Sequence, residues 1–293
     1  MLLNKGNYMK RVTDIPQPPS RPRDAHKGTA GLVLVVAGSR GMAGAAALVG
    51  NGALRGGAGL VKIVTPDDCL DTVAALAPCC TTAPLITQQV FQETVGKENA
   101  KTVLRLAEGQ QAIAMGPGMG RSKAVARLVR DVLAGAGIPV VLDADGLNVI
   151  ADDPKAALGA AKALVILTPH PGEAARLLGT TVKTVQADRE AAAERLARLG
   201  AVAVLKGAGT VVCDGERLYV NETGNPGMAT AGAGDVLTGM LAALVAARMP
   251  MFEAAVLAVW AHGRAGDLAA ERLGLLGLTA MDLLGCVPEV LRI

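Results

Sequence analysis

Apolar residues in this chain come in short unbroken runs, and each run ends in glycine, aspartate, threonine or lysine. GLVLVVAGS, QAIAMGPGMGRS, IPVVLDADGLN, ALVILTPHPGE and AVAVLKGAGT all have this form. Strict alternation is missing, as it is in strands buried on both faces, and such strands belong to parallel sheets covered by helices. Between the runs, apolar residues recur at helical spacing. Strand, glycine turn and helix therefore repeat along the chain, predicting one doubly wound α/β domain with its polar clusters at the C-terminal ends of the strands.

In chain order, the pattern predicts a small-residue helix entered at Gly41 and Gly44, then a strand over Gly59 to Thr65. Residues 67–110 carry weaker signals: an amphipathic segment, a Thr/Pro stretch (Thr81, Thr82, Pro84) and a helix from about Gly96 to Glu108. A strand at Val140 to Leu142, a helix near 154–161 and a single helix from Val185 to Leu199 follow. Asp214-Gly215 marks a hairpin tip, and two long helices close the chain. Residues 1–27, with Pro16, Pro18, Pro19 and Pro22, predict an extended lead-in, partly packed on the domain and mostly mobile. The folded domain is expected over residues 28–293.

Composition narrows the classes. Hydrophobic residues reach 51%, yet Arg248 interrupts the longest candidate span, so no membrane helix is expected. The basic N-terminus is not followed by an apolar segment, which argues against a secretory signal and for the cytoplasm. Net charge +3 and 2% aromatics give no basis for nucleic-acid binding. Five cysteines (Cys69, Cys79, Cys80, Cys213, Cys286) contain no CxxC and fit no zinc spacing. Three histidines are too scattered for a metal cluster, and no serine sits in a GxSxG elbow.

The most informative stretch is GNPGMATAGAGDVLTG, Gly224 to Gly239. A glycine loop running into a helix presents unpaired amides and the positive end of a helix dipole, which suits an anion. Asp235 in that first turn is either a general base held beside phosphates or a plain helix cap. Elsewhere, Asp143, Asp145 and Asn148 gather after one strand, and His170 sits between two prolines after another. Lys206 follows a third strand, where it either reaches a phosphate or meets solvent. GPGMG, Gly116 to Gly120, fails both the dinucleotide fingerprint and the P-loop pattern. His262 reads as a packing residue of the first closing helix.

Taken together and in this order, AGAAALVGNGALRGGAGLV, GPGMG, DADGLN, TPHPGEAARLLG, KGAGT and GNPGMATAGAGDVLTG resemble the ADP- or ATP-dependent NAD(P)H-hydrate dehydratases of the ribokinase-like superfamily. The resemblance covers about residues 28–290 and implies a three-layer sandwich with a mostly parallel central sheet and helices on both faces. It implies repair of hydrated NADH and NADPH, with the nucleotide phosphorylating the ring hydroxyl so that phosphate, a good leaving group, departs. By that resemblance Asp235 is the base, and Gly232, Ala233 and Gly234 form the anion hole. Lys206, Gly207, Ala208, Gly209, Thr210 and Gly234 line the AMP moiety. Ala45, Gly118, His170 and Asp235 contact the hydrated dinucleotide, with Asp145, Asn148 and Asn225 as wall residues.

Magnesium is expected with the nucleotide, held by phosphates and water, and a homotetramer is expected from the family. Many relatives carry a fused epimerase domain; the 27-residue lead-in leaves no room for one here, so a separate epimerase chain is expected. Two alternatives stay open at this level: a vitamin-precursor kinase of the same superfamily, and a non-catalytic dinucleotide sensor.

Overall fold

A computed structural model describes residues 9–87 and 92–292. Among these, ten strands form one sheet: β1 (Lys10–Arg11), β2 (Leu32–Val36), β3 (Leu60–Pro66), β4 (Thr81–Leu85), β5 (Ala112–Met115), β6 (Val140–Leu142), β7 (Val165–Leu167), β8 (Val202–Leu205), β9 (Val211–Cys213) and β10 (Arg217–Val220). Their spatial order is β1-β10-β9-β8-β7-β6-β5-β2-β3-β4. Neighbours are parallel from β4 across to β8. The β8–β9 and β9–β10 pairs are antiparallel, and β1 runs parallel to β10.

The described helices are α1 (Ala43–Arg55), α2 (Leu70–Leu76), α3 (Gln92–Ala107), α4 (Lys123–Gly135), α5 (Asp145–Asn148), α6 (Pro154–Gly159), α7 (Pro171–Leu177), α8 (Val182–Ala187), α9 (Arg189–Ala197), α10 (Ala233–Ala246), α11 (Met251–Leu273) and α12 (Ala280–Val290). Two hydrophobic cores lie on opposite faces of the sheet. Val33 and Val35 of β2 join Ala114 and Val141 in a core covered by α1, α2, α10, α11 and α12. Leu34 and Val36 point the other way, with Ile113, Met115 and Leu142, beneath α3, α4 and α6 to α9. Side chains alternate across a strand, so a run without polar positions feeds both cores. Each fully buried Val or Leu contributes ~1.5–3 kcal/mol. The result is the three-layer sandwich expected from the sequence. Among the described residues, no helix is long and apolar enough to cross a membrane.

Glycines let α1 and α10 pack closely. A Cβ on Gly239 would lie 2.1 Å from the Val49 carbonyl oxygen, and one on Gly52 would lie 2.6 Å from that of Val236. Only bare backbone permits this approach.

One local expectation is corrected, and two stretches gain detail. The helix drawn from Val185 to Leu199 is two helices, because the Asp188 side chain accepts from the Ala191 amide and starts α9 afresh. The Thr/Pro stretch is strand β4; at the sheet's edge the missing amide of Pro84 does not break the ladder. The lead-in touches the domain at several of its described residues, 9–27. The amides of Lys10 and Val12 donate to the carbonyls of Glu216 and Leu218, both at 2.8 Å. Val12 and Ile15 pack on the core, and Arg11 forks onto the Glu190 carboxylate at 2.6 and 2.8 Å. Its first eight residues lie outside the described ones.

Candidate active site at the first turn of α10

Helix α10 begins at Gly232, whose φ of 87° lies in the left-handed region. A side chain there would also strike Leu48 of α1, since a Cβ would come 2.4 Å from its Cδ1. Glycine thus lets the chain turn tightly into the helix while α1 packs beside it. The turn leaves the first amides of α10 without helical acceptors, at the positive end of the dipole. Gly232, Ala233 and Gly234 form this turn, where the sequence placed an anion hole, and Asp235 is the third residue of the helix.

Asp235 is half-buried and its pKa is raised to about 7, by burial first and then by Asp143, with Lys206 opposing. A carboxylate in this range exchanges protons near neutral pH. Asp143 ends β6 and is 1% exposed. Its Oδ1 accepts from Lys206 Nζ at 2.6 Å, and its Oδ2 accepts from Thr238 Oγ1 at 2.8 Å. Lys206 comes from the end of β8. Burial works against its charge, but Asp143, Glu173 and Asp235 raise its pKa above the ordinary value. Parallel strands β6, β7 and β8 end side by side, which explains how residues so distant in sequence converge.

A cavity of about 680 Å³ adjoins this cluster. Its walls are the Lys206–Thr210 loop, the Asn221–Asn225 segment, Ala233 and Gly234 of α10, and Val259 and His262 of α11. All five loop residues expected to line a nucleotide therefore face one space, together with Gly234 and Asn225. Asp235 follows Gly234 directly and is not itself a wall of the cavity; its carboxylate is near enough to Lys206 and Asp143 for their charges to act on it, and a Cβ on Gly234 would lie 3.2 Å from Lys206 Nζ. A larger hollow of about 880 Å³, lined by the lead-in and the C-terminal end of α1, lies at the opposite edge of the sheet.

The other expected residues fall in three groups. Gly118 and Ala45 meet: a Cβ on Gly118 would be 3.1 Å from that of Ala45 and 2.9 Å from that of Met42, and Gly118 has φ 65°. Since Leu48, one turn beyond Ala45, packs on Gly232, this pair borders the α10 turn. His170 caps α7, its Nδ1 accepting from the amides of Gly172 at 3.0 Å and Glu173 at 3.3 Å. That assigns the ring proton to Nε2, which faces Glu173 Oε1 at 3.2 Å. The imidazole remains half exposed at the strand end. Asp145, Asn148 and Asn225 have their polar atoms engaged within the protein. Asp145 accepts from the Gly120 amide and Arg121, Asn148 from Arg176, and Asn225 bonds Gly227 and Asp267. They brace the walls.

Sequence reasoning gave no role to Thr238 and left Asp143 unassigned within a polar cluster. The spacing Asp235–Thr238 is one helical turn and could have flagged the threonine. His262 does more than pack. Its Nε2–H donates to the Ala233 carbonyl at 2.8 Å, and burial lowers its pKa to about 4, so the ring is neutral. The turn before Asp145 also carries strain: Ala144 has φ 49°, between an aspartate turned into the cluster and one turned toward Gly120.

A mostly parallel sheet with helices on both faces, a glycine-rich helix start at the strands' C-terminal edge, a carboxylate in its first turn and a lysine beside it defines a ribokinase-like fold. A ribokinase-like structure from Enterococcus faecalis shares the fold at TM-score 0.81, with 23% identity over all of this chain and 98% of that one. The family described as NAD(P)H-hydrate dehydratase matches residues 33–289, and the chain belongs to that family.

Among relatives, the bifunctional NAD(P)H-hydrate repair enzyme of Moorella thermoacetica is 44% identical over 94% of this chain and 52% of its own length. The chain thus spans about half of such relatives. The ADP-dependent (S)-NAD(P)H-hydrate dehydratase of Neisseria meningitidis is 41% identical over 90% of this chain and 86% of its own. A crystal structure of the ADP/ATP-dependent NAD(P)H-hydrate dehydratase from Bacillus subtilis, co-crystallized with ATP/Mg2+, superposes at TM-score 0.81, with 34% identity over 94% and 93% of the two chains.

Proposed function

We propose that this chain returns hydrated NADH and NADPH, as the S epimer, to NAD(P)H at the expense of ADP or ATP. The observation that carries the reading is Asp235, near neutrality in pKa, in the first turn of α10 and beside Lys206. In this reading the nucleotide occupies the 680 Å³ cavity, with its terminal phosphate at the Gly232–Gly234 amides. The nicotinamide end of the hydrated dinucleotide lies toward Ala45, Gly118 and His170.

Asp235 takes the proton of the ring hydroxyl as its oxygen bonds to the terminal phosphorus, and the bond from that phosphorus to the shortened nucleotide breaks. The carbon–oxygen bond then breaks with its electron pair leaving on phosphate. The adjacent ring carbon releases its proton to solvent, and the electron pair of that C–H bond re-forms the double bond. Phosphorylation is the point of the kinase-like site, because hydroxide is a poor leaving group. Lys206 offsets charge building up on the transferred phosphoryl group.

Magnesium belongs to the same reading. Among the described residues no group of three or more His, Cys, Asp or Glu side chains stands ready for a metal, and both Asp143 oxygens are engaged. That donor set fits an ion carried in by the nucleotide and held by phosphates and water, neutralising charge at the transferred group. The family resemblance adds a homotetramer, a cytoplasmic setting and an epimerase acting in the same repair route.

The test is recovery of reduced-nicotinamide absorbance from hydrated NADH and hydrated NADPH, with ADP and ATP in parallel reactions. Nucleotide-dependent recovery is expected. Its absence with both nucleotides would overturn the reading.

A further inference from the structure

Arg189, the first residue of α9, belongs to none of the motifs above, yet it lies directly behind the Lys206–Thr210 loop. Its Nη2 donates to the carbonyls of Leu205 at 2.9 Å, Lys206 at 3.2 Å and Gly209 at 3.4 Å. Nη1 donates to Gln186 Oε1 at 2.7 Å. Burial lowers the guanidinium's pKa, and its buried Nε has no hydrogen-bond partner. A cation half withdrawn from water, with one donor unmet, is an uneconomical way to fill space. What it gains is a grip on the last carbonyl of β8 and two carbonyls of the short loop that follows.

That grip has a geometric result. In a trans peptide plane the carbonyl and the following amide point in opposite directions. Turning the Lys206 and Gly209 carbonyls toward Arg189 therefore turns the Gly207 and Thr210 amides the other way, onto the side that lines the cavity. The loop itself is poorly suited to hold this shape. Gly207 has φ 132° and Gly209 φ 63°, and glycine samples many alternatives to such angles. The other side-chain bond within it is from Thr210 Oγ1 to the Gly207 carbonyl.

We propose that Arg189 is a positioning residue for the nucleotide: its guanidinium gathers the Leu205, Lys206 and Gly209 carbonyls and so presents the loop's amides to the bound nucleotide. This rests on the cavity being the nucleotide site. Lysine is a poor substitute, because an ammonium is a compact point charge without the planar fork that spans several acceptors.

The experiment compares the parent chain with R189M, R189K and Q186A by calorimetric titration with ADP, steady-state kinetics and thermal unfolding. R189M is expected to raise the ADP dissociation constant at least ~10-fold, with R189K intermediate and Q186A raising it ~3-fold. At saturating ADP, kcat is expected to stay within ~2-fold of the parent, because the reacting groups are untouched. Should R189M not fold, R189K and Q186A carry the comparison. An unchanged ADP affinity in the folded variants, even with a lower melting temperature, would overturn the proposal and leave Arg189 as a packing residue. A parent chain that binds neither ADP nor ATP would overturn the nucleotide reading itself, an outcome distinct from loss of the Arg189 role alone.

Discussion

Lys206 pairs with Asp143, at 2.6 Å, and not with Asp235. The distinction matters because an ion pair would hold Asp235 in the ordinary carboxylate range, where it is a weak base. Held by Asp143 instead, the lysine is close enough to influence Asp235 but is committed elsewhere, and Asp143 adds repulsion of its own.

Replacing Asp143 with Asn removes that repulsion and releases Lys206 toward Asp235. Both changes lower the Asp235 pKa. The acidic limb of the kcat/KM profile is expected to move to lower pH by ~1 unit, with a slower plateau from the weaker base. A limb that stays in place would separate Asp143 from the chemistry.

In the parent chain, the rate should fall about tenfold per pH unit below 7, as the Asp235 base is protonated. The effect on stability has the opposite sense. A carboxyl whose folded pKa is raised favours the fold below its unfolded pKa near 3.8, and that contribution is lost as pH rises through about 7. D235N should therefore match the parent's stability at pH 4 and exceed it by ~2 kcal/mol at pH 8. Its turnover should drop ~100-fold or more while ADP still binds. Urea unfolding at the two pH values, together with the dehydration assay, reads out both.

Lys206→Met leaves a carboxylate that is 1% exposed with Thr238 as its remaining side-chain partner among the described residues. A cost of ~3–5 kcal/mol in unfolding free energy is expected, along with weaker nucleotide binding. Adding D143N should recover most of the stability and none of the binding. Equal losses in the single and double variants would show that the pair does not act as a unit.

Gly239→Ala tests how α1 positions the α10 turn. A methyl group 2.1 Å from the Val49 carbonyl oxygen must push the helices apart, at ~2–4 kcal/mol. The melting temperature should fall, and activity should fall with it, because Leu48 and Gly232 lose register. A silent substitution would mean that the helices are not locked together.

The layered fold was legible because its strands announce themselves: VLVV and VVL have no polar position and so must be buried on both sides. The α10 turn was legible for a related reason, since glycine and aspartate at a helix start leave few other readings. What sequence hid depended on long-range partners. Asp188 interrupts a helix-like pattern only because its side chain caps the next turn. Asp143 looked equivalent to Asp145, yet the strained Ala144 between them sends one carboxylate to Lys206 and the other to Gly120. His262 met Ala233 across two helices, a contact that periodicity does not encode.

The two-residue strand β1 also has a protective effect. A sheet's outermost strand carries a row of unsatisfied amides and carbonyls that another molecule can zip onto, seeding aggregates. By laying Lys10 along β10 and anchoring Arg11 on Glu190, the proline-rich lead-in covers an otherwise open flank. Trimming the chain back to residue 28 would keep every reacting group and strip away that guard.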